Sequence, residues 1–187
     1  MDSTDPRYVP IIHALGRRAL DRGALGELTE LVGFSSGFGD PSLRAFTIAA
    51  VRKLLAQRST GGQLNPRTAD AYLRSGIPDA HVEVLRWFGQ SEYADQQAYD
   101  HMRDIYDPVR KLPPVKVGKV NGEMPSAADK AAIRDVEEWV RSNRGLLVYD
   151  PTRDVMSLAA DPDAAARMRA QHELALASSP DSPQSDL

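Results

Sequence analysis

Asn65-Pro66-Arg67-Thr68-Ala69-Asp70-Ala71-Tyr72-Leu73-Arg74-Ser75-Gly76-Ile77-Pro78-Asp79-Ala80-His81-Val82-Glu83-Val84-Leu85-Arg86-Trp87 reads as two short helices and the turn between them. Asn65 can accept from free N–H groups at a helix start, and Pro66 loses nothing at the first helical position. Gly76 supplies a turn conformation closed to most residues. Ala69 and Leu73 then face Ile77, Val82 and Leu85 across the turn, and the second helix runs from about Asp79 to Phe88.

The same punctuation recurs on both sides. Upstream, Pro10 leads into a helix with the stripe Ile11, Ile12, Leu15, Ala19 and Leu20, leaving Arg17, Arg18 and Arg22 on the wetter side. A second short helix carries Leu25, Leu28, Leu31 and Val32, and the glycines and serines of 33–39 predict a loop. Asp40-Pro41 starts a helix to about Arg58, with Leu43, Phe46, Ala50, Val51, Leu54 and Leu55 inward. Downstream, Ser91 is the expected cap of a helix from Glu92 to about Tyr106. Four prolines and the alternation Val115-Lys116-Val117-Gly118-Lys119-Val120 make 108–125 an exposed strand or an extended connector. Ser126 and Asp129 have the spacing of a capping box, and the helix beyond carries Ala128, Ala132, Val136, Trp139 and Val140 on one face. Residues 146–158 predict a β-hairpin, and Asp161-Pro162 a last helix to about Ala177 with Met168 and Leu174 on a thin apolar face. The expected fold is mainly α, with α+β as the neighbouring class: a multi-helix globular domain with a small C-terminal β-hairpin and flanking helices. Its parts would be a helical domain over 1–107, a basic proline-containing connector or strand over 108–125, a helix–hairpin–helix appendage over 126–177 and a disordered tail over 178–187.

With 187 residues the chain can bury a core without metal or disulfide staples, and it has no Cys. Thiolate metal sites and cysteine nucleophiles are therefore excluded. No run approaches the roughly 20 apolar residues of a membrane span. The acidic, polar start lacks the basic-then-apolar pattern of a secretory signal, so a cytoplasmic location without a membrane partner is expected. The net charge of −3 is uneven: 1–150 is balanced, and the last segment supplies the acidic excess.

The 66–87 stretch resembles the helix-turn-helix class of DNA-binding motifs, in which a second helix enters the major groove. That resemblance implies a regulatory, transcription-related protein binding double-stranded DNA. Two features depart from the pattern. Tyr72 stands where the motif carries a small residue, and Asp79 and Glu83 would face phosphates. Arg86 and His81 are the candidate base contacts, and Arg67 and Arg74 candidate phosphate contacts. Arg44, Arg52, Lys53, Arg58 and Arg67 lie in a stretch without an acid, and Arg110, Lys111, Lys116 and Lys119 form a second such run suited to a basic arm. The alternative is a solvated surface around an apolar core.

A second function class is a protein-binding adaptor, immunity or antitoxin-like inhibitor using Tyr93, Tyr99 and Tyr106, whose large rings carry a polar end. Core packing is the competing role for those rings. A third is a small hydrolase-like enzyme. His101 lies near Asp100 and Asp104 for a metal, or near Asp107 or Glu92 for acid–base work, and His13 is the other candidate. Ser35 and Ser36 sit among glycines, but no Lys-Ser or Lys-Thr of a phosphate loop follows. The sequence thus leads to a non-enzymatic reading, with no cofactor and no metal, and leaves monomer and homodimer both open.

Overall fold

Caps and prolines set most boundaries, and tertiary packing moves the rest. The structure, a computed structural model, describes residues 5–35, 41–57, 64–119 and 122–177. After a short turn of 3-10 helix at Pro6–Tyr8, its helices are α1 (Val9–Arg22), α2 (Leu25–Ser35), α3 (Pro41–Ala56), α4 (Pro66–Arg74), α5 (Pro78–Gln90), α6 (Gln96–Tyr106), α7 (Ala127–Asn143) and α8 (Pro162–Ala177). Strands β1 (Leu147–Asp150) and β2 (Val155–Leu158) precede α8 and pair antiparallel, Leu147 opposite Leu158 and Asp150 opposite Val155. The fold is mainly helical with a small C-terminal hairpin, as the sequence implies. No helix among the described residues is long and apolar enough to cross a membrane.

Several local signals act as read. The Asn65 side chain accepts from the Thr68 N–H at 3.0 Å. Ser126 and Asp129 close a reciprocal box at 3.1 and 3.0 Å. Asp161 accepts from Ala164 N–H at 2.7 Å. Each satisfies a donor that the first helical turn leaves open.

Other boundaries shift. α6 begins at Gln96, not at Glu92, because Asp95 takes the cap by accepting from Gln97 N–H at 3.2 Å. Ser91 instead accepts from Tyr93 N–H at 3.1 Å and holds a turn. α2 continues through Gly33 and Phe34 to Ser35, where a loop was expected; the Ser35 hydroxyl bonds the Val32 carbonyl and the Thr47 hydroxyl, each at 3.0 Å. α5 runs past Gly89, which faces Ile133 of α7. The Asp40 cap, the rest of the glycine-rich stretch, Arg58, Val120 and the 178–187 tail lie outside the described residues.

The connector after α6 is extended, and a side chain partly replaces a strand neighbour. Gln96 accepts from Val117 N–H at 3.1 Å and donates to Val115 carbonyl at 3.3 Å. Leu112, Val115 and Val117 turn inward, while Lys111, Lys116 and Lys119 stay exposed.

α5 lies at the centre of the packing, against α3 and α4 on one side and α7 on the other. Residues of the 126–177 segment enter the same buried cluster as the first helices: Ile133, Val136, Val140, Leu147, Tyr149 and Met156. A smaller cluster of Val148, Ala159 and Ala165 fastens α8 to the hairpin, helped by Arg169, which donates to the carbonyls of Gly145 and Leu147 at 3.0 Å.

Gly76 serves two constraints. Its φ is +67°, and a Cβ there would stand 2.5 Å from the Tyr149 ring. The α4–α5 turn is therefore the seat on which the hairpin's Tyr149 rests.

Candidate functional site

The proposed recognition helix is buried. Ala80, His81, Val82, Val84, Leu85, Trp87 and Phe88 of α5 are all inside, since α7 covers the face that periodicity left to solvent. His81 is 0% exposed and cannot reach a base edge, which corrects its assignment as a DNA contact. Its Nε2–H donates to the Leu73 carbonyl, so Nδ1 accepts from the Tyr106 hydroxyl, each at 2.8 Å. Burial holds its pKa down, at about 4, and the ring is neutral.

Among the described residues, five of the candidate basic contacts are engaged within the fold. Arg44 folds inward, donating to the Arg74 carbonyl at 2.9 Å with its guanidinium 5.1 Å from the Tyr149 ring centroid. Lys53 donates to the Leu20 carbonyl at the end of α1. Arg74 pairs with Asp70 at 2.9 Å. Arg86 is held by Glu83 and Glu137 at 2.8 and 2.9 Å, so neither base nor phosphate has first claim on it. Arg110 lies over Trp139, 5.1 Å from the ring centroid. Arg52 and Arg67 are exposed on α3 and α4, and the connector lysines are exposed on another segment.

Two of the three tyrosines are core. Tyr99 and Tyr106 share a face, as their spacing implies, but both are 0% exposed; the Tyr99 hydroxyl donates to the Pro113 carbonyl at 2.8 Å. Burial pushes the Tyr99 phenol up to about 12 and that of Tyr106 higher still. A protein-binding role falls away for both, while Tyr93 stands exposed in the turn before α6.

His101 finds partners far along the chain. Its Nε2 meets Asp154 at 2.8 Å and its Nδ1 meets Asp70 at 3.2 Å. These partners replace Asp104, the helical neighbour expected to meet it, and nearby Asp100 pairs with Arg103 at 3.4 Å. Hydrogen bonds to Asp154 and then to Asp70 raise the His101 pKa to about 9, so the ring is an imidazolium at neutral pH. Asp154 is held at about 2, chiefly by the same bond. Its other carboxylate oxygen accepts from the Tyr149 hydroxyl. Asp154 also sits at φ 54°, a left-handed conformation that Asp tolerates better than most residues. This junction joins α4, α6 and the β-turn. As an imidazolium with Nε2 bonded to Asp154 and Nδ1 in ion-pair range of Asp70, His101 has no lone pair to offer as a base or ligand. Among the described residues no group of three His, Asp or Glu side chains is placed to hold a metal.

A different face has the character of a contact site. α1 and α2 are joined by a two-residue turn at Gly23 (φ +68°), and Tyr8, preceding α1, meets Phe34 near the end of α2 edge-on at 6.5 Å. The helices therefore run in opposite directions. Between them lies an open groove of about 660 Å³, lined by Leu15, Arg18 and Arg22 of α1 and by Gly26, Glu27, Glu30 and Leu31 of α2. Ile11 and Leu15, expected inward, are 52% and 46% exposed. The inward stripe of α1 is rotated to Ile12, Gly16 and Ala19. Arg18, Arg22, Glu27 and Glu30 are exposed and have no ion-pair partner among the described residues. Sequence reasoning missed this face because Ile11 and Leu15 fit the same apolar stripe as Ile12.

The chain matches no protein-family model, no characterised protein and no solved structure.

Proposed function

We propose that this protein is a non-catalytic protein-interaction module whose contact face is the α1–α2 pair. The observation carrying this reading is the half-exposed pair Ile11 and Leu15 beside a groove whose two walls bear charges of opposite sign that have no ion-pair partner among the described residues. Large apolar side chains grouped on a surface with a charged rim are the composition of a protein contact. The buried α5 favours this reading over a duplex reader, and the doubly paired His101 favours it over a hydrolase. A photo-crosslinking residue at position 15, introduced in the native cell, should give a discrete adduct that one at exposed Thr152 does not. Equal or absent adducts at both positions would overturn the reading.

Nucleic-acid binding is the second reading, favoured by the exposed Lys111, Lys116 and Lys119 on a connector segment with no acid before Gly122. It requires duplex affinity that falls steeply with salt and drops when these lysines are neutralised together. No shift in fluorescence anisotropy of labelled duplex at low salt would remove it.

A further inference from the structure

Resting on that interaction reading, we propose that the α1–α2 face binds a second copy of this chain about a two-fold axis parallel to the two helices. The charge pattern of the face selects this arrangement. One wall of the groove is cationic (Arg18, Arg22) and the other anionic (Glu27, Glu30), and both pairs lie toward the turn at Gly23. The apolar residues Ile11 and Leu15 lie toward the opposite end of α1. A two-fold axis along the helices sets α1 of one protomer over α2 of its partner at the same level. Ile11 and Leu15 then meet the far end of the other copy's α2, where Leu31 lines the groove and Phe34 is exposed, and each arginine pair faces a glutamate pair. A two-fold axis across the helices would set α1 over α1 in reverse, driving arginines onto Ile11 and Leu15. Charge and apolarity agree in the first arrangement only. A different partner would have to bring both rows of opposite charge; a second copy carries them already.

The area sets how tight such a dimer can be. α1 has 14 residues. At 1.5 Å per residue and about 10 Å per helix width, the pair offers roughly 400 Å² per copy, about 800 Å² in total, below the range of stable interfaces and within that of weak encounters. The dimer is accordingly reversible and dissociates on dilution. Exposed ion pairs contribute little attraction and chiefly fix orientation, whereas the apolar contact supplies the association.

Sedimentation equilibrium on the full chain tests this. The expected result is a mass that rises with loading toward twice that of one chain, and that Leu15→Lys returns to the single-chain value. Arg18→Glu with Arg22→Glu, and separately Glu27→Lys with Glu30→Lys, should each give single chains alone. Mixed in equal amounts, the two double variants should recover the dimer, since each wall then meets its opposite. Circular dichroism spectra unchanged from the parent exclude misfolding as the cause. A single-chain mass at every loading, or a dimer indifferent to these changes, or no recovery on mixing, would overturn the proposal. If a position-15 crosslink then joins a different protein, self-association falls and the interaction reading stands; if it joins nothing, both fall.

Discussion

At the junction of α4, α6 and the hairpin, opposite charges meet within the chain: His101 lies 2.8 Å from Asp154 and 3.2 Å from Asp70, and Arg74 lies 2.9 Å from Asp70. On the α1–α2 face, Arg18 and Arg22 stand across a groove from Glu27 and Glu30 without closing. The junction spends its charges on joining elements distant in sequence, since Asp70 and Asp154 come from either side of His101. The face leaves its charges available. The difference separates residues whose loss should harm the fold from residues whose loss should harm only association.

The largest expected effect comes from the junction's apolar seat. Gly76→Val forces a branched side chain into a left-handed turn and against the Tyr149 ring, and should destabilise the protein by about 3 kcal/mol. Urea unfolding measures it, and a loss below about 1 kcal/mol would mean that Tyr149 moves aside freely.

Next is the dependence on pH. His101 has a folded pKa of about 9 against an ordinary 6.5, so its stabilisation is complete below 6.5 and is lost as pH rises toward 9. His81 is shifted the other way, to about 4, so its buried neutral ring costs stability as pH falls from 6.5. Stability should peak near pH 6.5, with an alkaline loss on the order of 2 kcal/mol after allowing for the solvent exposure of the junction. His101→Gln should flatten the alkaline limb and leave the acid limb in place. A curve unchanged by that substitution would break the assignment.

Asp154→Asn keeps a residue type at ease with φ 54° while removing the carboxylate charge. The His101 pKa, followed by NMR, should fall from about 9 toward 6.5, with a stability loss of about 1 kcal/mol. A pKa that stays near 9 would transfer the role to Asp70. The smallest effect on stability belongs to the face: Leu15→Lys should cost less than about 0.5 kcal/mol, because nearly half of that side chain already meets water. A loss as large as that of Gly76→Val would show Leu15 to be core and erase the contrast.

Signals confined to a few consecutive residues were legible in the sequence. Asn65-Pro66, the Ser126–Asp129 box, Asp161-Pro162 and the hairpin each depend on neighbours within one turn, and each appears. The environment of α5 was not legible. Ala80, His81 and Val84 fall on the side that a half-buried helix gives to solvent, and the covering helix α7 is about 50 residues further along. The partners of His101 were hidden for the same reason: Asp70 and Asp154 are brought to it only when α4 and the hairpin dock. Helical spacing correctly put Tyr99 and Tyr106 on one face but could not say that the face was internal. Ile11 and Leu15 show the converse, apolar residues in register with a core stripe and yet outside it.

Lys53 extends from α3 to the carbonyl of Leu20, in the last turn of α1 where the partial negative charge of the helix gathers. The hinge between α1 and α2 is thereby bolted to a third helix before anything touches it. Docking on these two helices then demands little backbone ordering, and the entropy lost is that of a few long side chains. Freed from that bolt by Lys53→Met, the same surface should associate with a slower on-rate and a steeper unfavourable entropy, although no residue of the contact has changed.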